Sequence, residues 1–160
     1  MNTFTTPRFA CDAMLGSLAR WLRATGHDSF WQEGIDDWDL IRFSRKEGRI
    51  LLSCDTGIFK IGIIRDGDVP NLQLANGLST EEQLEQVVKH FGLHRRDPLC
   101  MLCSGTLQEV PKGSIRTLVP PKTFGWIQQF WQCEQCSKPF WKGSHWTTIN
   151  NRLSSLFSDR

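Results

Sequence analysis

Two Cys-x-x-Cys pairs constrain the fold of this chain more than any other feature. The pairs are "CMLC" and "CEQC", which contain Cys100, Cys103, Cys133 and Cys136 and stand 29 residues apart. Each pair lets two thiolates hold one side of a tetrahedral Zn²⁺, and two pairs complete its coordination shell. Such a closed site is structural and holds a small module together. We therefore predict a zinc ribbon, with a β-hairpin in the intervening "GTLQEVPKGSIRTLVPP".

The remaining cysteines, Cys11 and Cys54, are isolated in the sequence. Each directly precedes an aspartate at the end of a predicted strand, and alternation along a strand directs it into the core. The N-terminus "MNTFTTPRFACD" lacks the basic start and apolar run of a signal peptide, and no apolar stretch is long enough to span a membrane. We therefore expect a cytoplasmic protein without membrane contact. In the cytoplasm, paired cysteines bind metal more often than they form disulfides.

Charge and tryptophan divide the chain into two parts. Residues 1–98 contain 12 basic and 14 acidic residues, whereas residues 99–160 contain seven basic and three acidic ones. Four of the seven tryptophans also lie in the second part. A modestly basic second part is compatible with a polyanionic partner but does not require one.

The predicted organisation is one main domain, a zinc ribbon and a short tail. The main domain covers residues 1–97, and "LHRRDP" links it to the ribbon at residues 98–150. Residues 151–160 are predicted to fray as a C-terminal tail.

Strands alternate with helices throughout the main domain. This alternation predicts an α/β fold, a parallel sheet flanked by helices. The predicted elements are a strand in "FTTPRFAC", a helix over Ala13–Arg23, a strand in "SFW", a helix from Asp36 or Asp37 to Gly48, a strand over Arg49–Ser53, a strand in "NLQLA", and a helix from the capping box of Ser79 and Glu82 to Gly92.

Three aspartates are predicted to meet at one edge of this sheet. Asp12 and Asp55 each follow a strand, and Asp37 opens the helix between those strands. Ligands of parallel sheets collect beyond the carboxyl ends of the strands. Clustered carboxylates repel one another unless a cation neutralises them, and oxygen ligands suit Mg²⁺ or Mn²⁺. The pattern fits metal-dependent nuclease chemistry, with Asp36 and Asp39 as additional acidic candidates.

Each aspartate also has a purely structural interpretation. Asp12 could cap the helix that follows it, Asp37 could cap the next helix, and Asp55 could stabilise a turn through "DTG". The residue pattern alone leaves both interpretations open.

Candidate substrate contacts come from both parts of the chain. They are Arg20, Arg23, Lys138, Lys142 and His145. The two arginines could instead lie on a solvated helix face, and His145 could be a fifth zinc ligand, although four thiolates already complete the shell. The tryptophans of the ribbon could stack on unpaired bases or could build the core of a small module.

Three long motifs carry a resemblance to a known family. They are "FACDAMLGSLARWLRATGHD", "IDDWDLIRFSRKEGRILLSCD" and "CMLCSGTLQEV…CEQCSKPFWKGSHW", which occur in this order. Over about residues 8–150 the chain resembles the Mut-seven C-terminal RNase family, in which a PIN-like nuclease domain precedes a zinc ribbon.

The resemblance implies a PIN-like fold and ribonuclease activity on RNA. Carried over by position, the catalytic carboxylates would be Asp12, Asp37 and Asp55. One motif differs, because relatives tend to have Thr-Arg-Asp where this chain has Ser53, Cys54 and Asp55. The difference removes a basic side chain next to the site but keeps the aspartate.

Two rival functions follow from the same residues. A non-catalytic module that binds nucleic acid or protein would use the aspartates only as caps and would keep the structural zinc. A phospho-acceptor receiver domain would also cluster aspartates, but it calls for a lysine near the end of a later strand, and "NLQLANGLSTEE" contains none.

Overall fold

The computed structural model describes residues 5–157, which form a parallel sheet with helices and a smaller antiparallel sheet. Three short 3₁₀-helices cover Ala13–Leu15, Ile58–Lys60 and Lys112–Ile115. The strands and α-helices are β1 (Phe9–Cys11), α1 (Gly16–Ala24), β2 (Ser29–Phe30), α2 (Asp37–Glu47), β3 (Ile50–Ser53), α3 (Gly62–Arg65), β4 (Asn71–Gln73), α4 (Thr80–Phe91), β5 (Leu107–Val110), α5 (Pro121–Trp126), β6 (Phe130–Cys133), β7 (Pro139–Phe140) and α6 (Ser144–Phe157).

The first sheet has four parallel strands in the order β2-β1-β3-β4. The chain passes from β1 to β2 on one side and then returns to place β3 on the other side of β1. The strand order therefore reverses between β1 and β3, and parallel sheets bind ligands beyond the carboxyl ends of the strands at such a reversal. The predicted α/β fold with a parallel sheet is confirmed.

Successive side chains of the strands point to opposite faces of this sheet, where they form two separate hydrophobic cores. Phe9 and Cys11 of β1 pack into a core with helices α1 and α4, whereas Ala10 between them packs into a core with α2. Helices therefore cover both faces, as the doubly buried strands require. Burial raises the pKa of Cys11 to about 12, consistent with its predicted role as a packing residue.

The ends of α2 and α4 are set by local capping residues. The Asp36 side chain accepts the Asp39 N–H at 2.9 Å, and Gly48 ends α2 in the left-handed conformation, with φ of 63°. Ser79 and Glu82 form the predicted capping box of α4. These boundaries match the sequence prediction.

The second sheet belongs to the cysteine-rich module and has the antiparallel order β5-β6-β7. The hairpin predicted within "GTLQEVPKGSIRTLVPP" is wrong, because β5 pairs with β6 from beyond this segment. The intervening residues form a 3₁₀-helix and α5 around a small core of Ile115, Val119 and Phe130. This apolar core explains why the segment folds onto the sheet rather than pairing with itself.

The predicted fraying of residues 151–160 is also wrong over the part that the structure describes. Helix α6 continues to Phe157, and its Trp146, Ile149 and Leu153 pack into the core formed by α1, α4 and the parallel sheet. Leu153 is fully buried, so burial of apolar surface stabilises the end of the chain. Residues 158–160 lie outside the described residues.

Within residues 5–157, no helix combines the length and apolar character needed to cross a membrane.

Candidate active site and metal centre

The three predicted aspartates lie at the reversal of strand order. Asp12 directly follows β1, Asp55 follows β3 by two residues, and Asp37 is the first residue of α2. The Asp12 N–H donates to the Leu52 carbonyl at 3.0 Å, which ties the end of β1 to β3. The topology therefore brings all three aspartates to the carboxyl ends of β1 and β3.

Ser53 connects two of these aspartates. Its hydroxyl donates to Asp12 Oδ2 at 2.6 Å and accepts the Asp55 N–H at 3.0 Å. Ser53 is fully buried and Asp12 is only 4% exposed. The serine therefore fixes the orientation of one carboxylate and the position of the other.

Asp12 and Asp55 also make the local contacts that their structural interpretation predicts. Asp12 Oδ1 accepts the Ala13 N–H at 2.7 Å at the start of the 3₁₀-helix, and Asp55 Oδ1 accepts the Gly57 N–H at 2.8 Å in a turn. Within residues 5–157, Asp55 Oδ2 makes no hydrogen bond. Capping and turn contacts thus use one oxygen of Asp55 and leave the other available.

Asp37 interacts electrostatically with the other two aspartates. Burial raises the pKa of Asp37, and the negative charges of Asp12, Asp55 and Asp36 raise it further. A divalent cation among these carboxylates would relieve the repulsion. The three aspartates are less tightly grouped than the cysteines described below. Among residues 5–157, only those cysteines form a set of candidate ligands whose atoms all lie within 4.8 Å of one another.

The neighbouring acids of α2 have other partners. Asp36 caps the helix, and hydrogen bonding from the Asp39 N–H holds the pKa of Asp36 below its ordinary value. Asp39 forms an exposed ion pair with Arg42. Of the three acids at the start of α2, Asp37 is therefore the one whose negative charge is repelled by those of Asp12 and Asp55.

Arg23 is not available as a substrate contact. Its side chain is 94% buried, since only 6% is exposed, and Nε donates to the Ser29 carbonyl at 2.8 Å. Nη1 donates to the carbonyls of Met101 and Leu102 at 2.7 and 3.2 Å. The guanidinium therefore connects α1 to β2 and to the first Cys-x-x-Cys pair. These buried contacts contradict the predicted substrate role of Arg23.

The other candidate contacts divide into two groups. Arg20, Lys138 and His145 line one cavity between α1 and the cysteine-rich module. Lys142 lies instead over the Trp131 ring, 5.1 Å from its centroid, in a separate depression that Asp97 also lines. The structure thus brings three of the five predicted contacts together.

The four paired cysteines converge on one point. The sulfur atoms of Cys100 and Cys136 are 3.7 Å apart, those of Cys103 and Cys133 are 3.5 Å apart, and all four lie within 4.8 Å of one another. Zn–S bonds of about 2.3 Å in a tetrahedron separate the sulfur atoms by about 3.8 Å. The cluster therefore fits one zinc ion, and His145 is not part of it.

Backbone N–H groups and burial have opposite effects on the pKa values of the cluster thiols. Burial by itself would raise the pKa of Cys133, but the N–H groups of Cys136 and Gln135 act on its sulfur and lower its pKa to about 7. The Gln135 N–H lies 3.4 Å from the Cys133 sulfur, and the Gly105 N–H lies at the same distance from the Cys103 sulfur. These donors stabilise negative charge on the two sulfurs, but burial still raises the pKa of Cys100, and raises that of Cys103 to about 12, so a bound cation would be needed to keep those two thiols ionised.

Gly105 allows the two cysteine pairs to approach each other. A Cβ atom at this position would lie 2.5 Å from the Cys133 sulfur and 3.2 Å from the Cys103 sulfur. No larger residue fits there unless the cluster shifts. Gly105 and Ser53 are two site residues that the sequence interpretation missed, although Gly105 stands two residues after a paired cysteine, where the chain turns back.

Comparison with known protein families gives a match over nearly the whole chain. The family model described as the Mut7-C RNAse domain matches residues 7–153, nearly the whole chain. A search of curated proteins finds no match.

Proposed function

Since this chain belongs to the Mut7-C RNase domain family, we propose that it is a divalent-metal-dependent ribonuclease. The family points to a nuclease-type function, and the resemblance over residues 8–150 supplies RNA as the substrate. The observation that carries the proposal is the meeting of Asp12, Asp37 and Asp55 at the reversal of strand order, with the pKa of Asp37 raised partly by the other two.

The donor set at this edge fits Mg²⁺ or Mn²⁺. All three candidate ligands are carboxylates, which these cations prefer. A divalent cation held there would supply positive charge that stabilises the phosphodiester oxygens and favours ionisation of the attacking water. Asp12, fixed by Ser53, and Asp55, fixed by Gly57, would provide ligands with little motion.

The cysteine-rich module would hold zinc as a structural ion and help to bind RNA. Its surface is modestly basic, and Lys138 and His145 face Arg20 of the nuclease part across a cavity. We propose a main domain over residues 1–97 and a zinc ribbon from residue 98, whose last helix packs back onto the main domain.

The proposal is tested by incubating the zinc-loaded protein with labelled single-stranded RNA and with DNA of the same sequence. Reactions contain Mg²⁺, Mn²⁺ or no added divalent metal. Cleavage of RNA that requires one of these metals supports the proposal. Salt-sensitive RNA binding without cleavage under any metal would contradict it and would favour the non-catalytic binding module.

Replacement of Asp37 by asparagine is expected to stabilise the protein at pH 7, whereas the same replacement of Asp36 is not. The folded-state pKa of Asp37 is raised, so the stability that its proton contributes is complete below the ordinary value of 3.8 and is lost as pH rises above it. Asp37→Asn should therefore raise the thermal unfolding temperature at pH 7 without divalent metal. Thermal unfolding between pH 4 and pH 8 tests this.

The adjacent Asp36 provides the comparison for this experiment. Its pKa is lowered in the folded state, so its ionised form stabilises the protein above 3.8, and Asp36→Asn should not raise the unfolding temperature. Mn²⁺ should stabilise the wild type and Asp36→Asn more than Asp37→Asn. Equal stabilisation of all three proteins by Mn²⁺ would argue against Asp37 as a ligand.

Ser53→Ala is expected to slow RNA cleavage about tenfold to a hundredfold, because the orientation of Asp12 and the position of Asp55 both depend on the lost hydroxyl. The free energy of unfolding should fall by about 1–2 kcal/mol. Ser53→Thr keeps the hydroxyl and serves as the control in both assays. If Ser53→Ala loses stability but cleaves at the wild-type rate, the serine has no positioning role.

A further inference from the structure

A cavity of about 450 Å³ lies between α1 and the cysteine-rich module, and Cys100 of the zinc cluster forms part of its wall. Arg20 lines it from α1, Met101 and Leu102 from the first Cys-x-x-Cys pair, and Lys138 from the last hairpin. Its volume is within the range of small-molecule sites. The cavity thus has walls from both parts of the chain.

The lining of the cavity combines basic side chains with apolar surface. Arg20, Lys138 and His145 are exposed, and among residues 5–157 none of their side chains has a hydrogen-bond or ion-pair partner. The walls include the aromatic residues Phe140 and Trp141, and no carboxylate of the described residues lines the cavity. This combination complements a ligand that has both a flat apolar part and a negative charge.

Leu102 indicates that the cavity is suited to a bound ligand. Its side chain is 61% exposed although it is a large apolar residue beside the cavity. An isolated exposed leucine is ordinary, but here it adjoins aromatic walls and unpaired cations. A nucleobase over Leu102 would cover apolar surface while its phosphate reached the cations.

The path from the cavity to the carboxylates runs along α1 and the 3₁₀-helix that precedes it. Arg20 is eight residues after Asp12, and at a rise of about 1.5–2.0 Å per residue this corresponds to roughly 12–16 Å. Arg23 fixes the position of α1 relative to the first cysteine pair through its bonds to Met101 and Leu102. A nucleotide in the cavity would therefore be held at a constant distance from the acidic edge.

We propose that this cavity binds one unpaired nucleotide of the RNA substrate, with the base against Phe140 and Trp141 and the phosphate near Arg20 and Lys138. The proposal rests on the proposed ribonuclease function and adds a binding pocket to it. It implies that the enzyme selects RNA with a nucleotide that can leave the stack, at an end, in a loop or in a bulge.

The test measures binding without cleavage, in zinc-loaded protein with no added Mg²⁺ or Mn²⁺. Adenosine and uridine 5′-monophosphates, ribose 5-phosphate, inorganic phosphate and a short single-stranded RNA are titrated by calorimetry. The nucleotides and the RNA should bind more tightly than the two base-free phosphates. Arg20→Gln and Lys138→Gln should each weaken nucleotide and RNA binding about tenfold.

Lys122→Gln is the matched control, because Lys122 is an exposed lysine of the same module outside the cavity. Base-free phosphates that bind as tightly as the nucleotides would overturn the inference, as would tighter binding of an acidic peptide. Unchanged nucleotide and RNA affinity in both cavity variants would overturn it as well. If RNA is cleaved but no nucleotide binds, the nucleotide pocket is contradicted and the nuclease proposal stands. If nucleotides bind but no metal supports cleavage, the pocket stands and the nuclease proposal is contradicted.

Discussion

Asp55→Asn is expected to lower the rate of RNA cleavage about a hundredfold or more. The change removes one negative charge from the proposed metal site, whose electrostatic effect on the transition state amounts to several kcal/mol. Asparagine has the same shape, and its Oδ1 can still accept the Gly57 N–H that aspartate accepts at 2.8 Å. The turn after β3 should therefore keep its conformation while the charge is lost.

The measurement is single-turnover cleavage of labelled RNA over a range of Mn²⁺ concentrations, with circular dichroism to verify folding. Asp66→Asn makes the same chemical change at an exposed position beside Arg65 and serves as the control. Partial recovery at high Mn²⁺ would show that Asp55 contributes to metal affinity. If Asp55→Asn cleaves as fast as the control, Asp55 only stabilises its turn.

Removal of zinc is expected to unfold the cysteine-rich module at 25 °C. Small modules of this kind obtain much of their folding free energy from the metal, with apparent binding free energies of about 10–16 kcal/mol at pH 7. Trp146 of α6 also contacts the Phe140 ring of β7, so α6 should lose this contact when the module unfolds, whereas Leu153 stays in the core of the main domain. Chelation and Cys103→Ser should both produce this result.

The readouts are zinc content, tryptophan fluorescence and thermal unfolding. Wild-type protein should contain one zinc per chain, and Cys54→Ser, outside the cluster, should keep it. Unfolding that is identical with and without zinc would contradict a structural role for the metal.

A glycine variant tests the geometry of the zinc site without removing a thiol. Gly105→Ala places a Cβ 2.5 Å from the Cys133 sulfur, so the cluster must shift and zinc affinity should fall. Gly113→Ala is the control, because a Cβ at that position meets no atom within 4 Å. Equal zinc affinity in the two variants would show that the four-sulfur geometry does not govern binding.

The sequence predicted those features of the fold that depend on neighbouring residues. Asp36 and Gly48 bound α2, and the Ser79 and Glu82 capping box begins α4, because each uses hydrogen bonds within a few positions. Parallel strands also place Asp12 and Asp55 at the same edge without further information.

The choice among the acids of α2 needed the tertiary structure. Asp36, Asp37 and Asp39 all lie at the start of one helix, and each of the first two fits a cap. Only the direction of α2 relative to β1 and β3 brings Asp37 close enough for the charges of Asp12 and Asp55 to raise its pKa. Local sequence contains no information about that direction.

Contacts between distant parts of the chain explain the wrong predictions. Arg23 bonds to carbonyls 78 and 79 residues away, which no pattern around "ARWLRAT" could indicate. Helix α6 contains many serine, threonine and asparagine residues, so its stability comes from packing rather than from helix propensity. Its signal was the spacing of Trp146, Ile149 and Leu153, which places them on one face.

The most direct test of the proposed active site counts the Mn²⁺ ions that zinc-loaded protein binds. Binding is measured by electron paramagnetic resonance, as the decrease in the signal of free Mn²⁺. One Mn²⁺ is expected to bind wild-type protein and the Asp66→Asn control, with much weaker binding to Asp55→Asn. Mn²⁺ binding of equal strength in all three proteins, or metal-dependent cleavage by wild type with no bound Mn²⁺, would contradict a metal site formed by Asp12, Asp37 and Asp55.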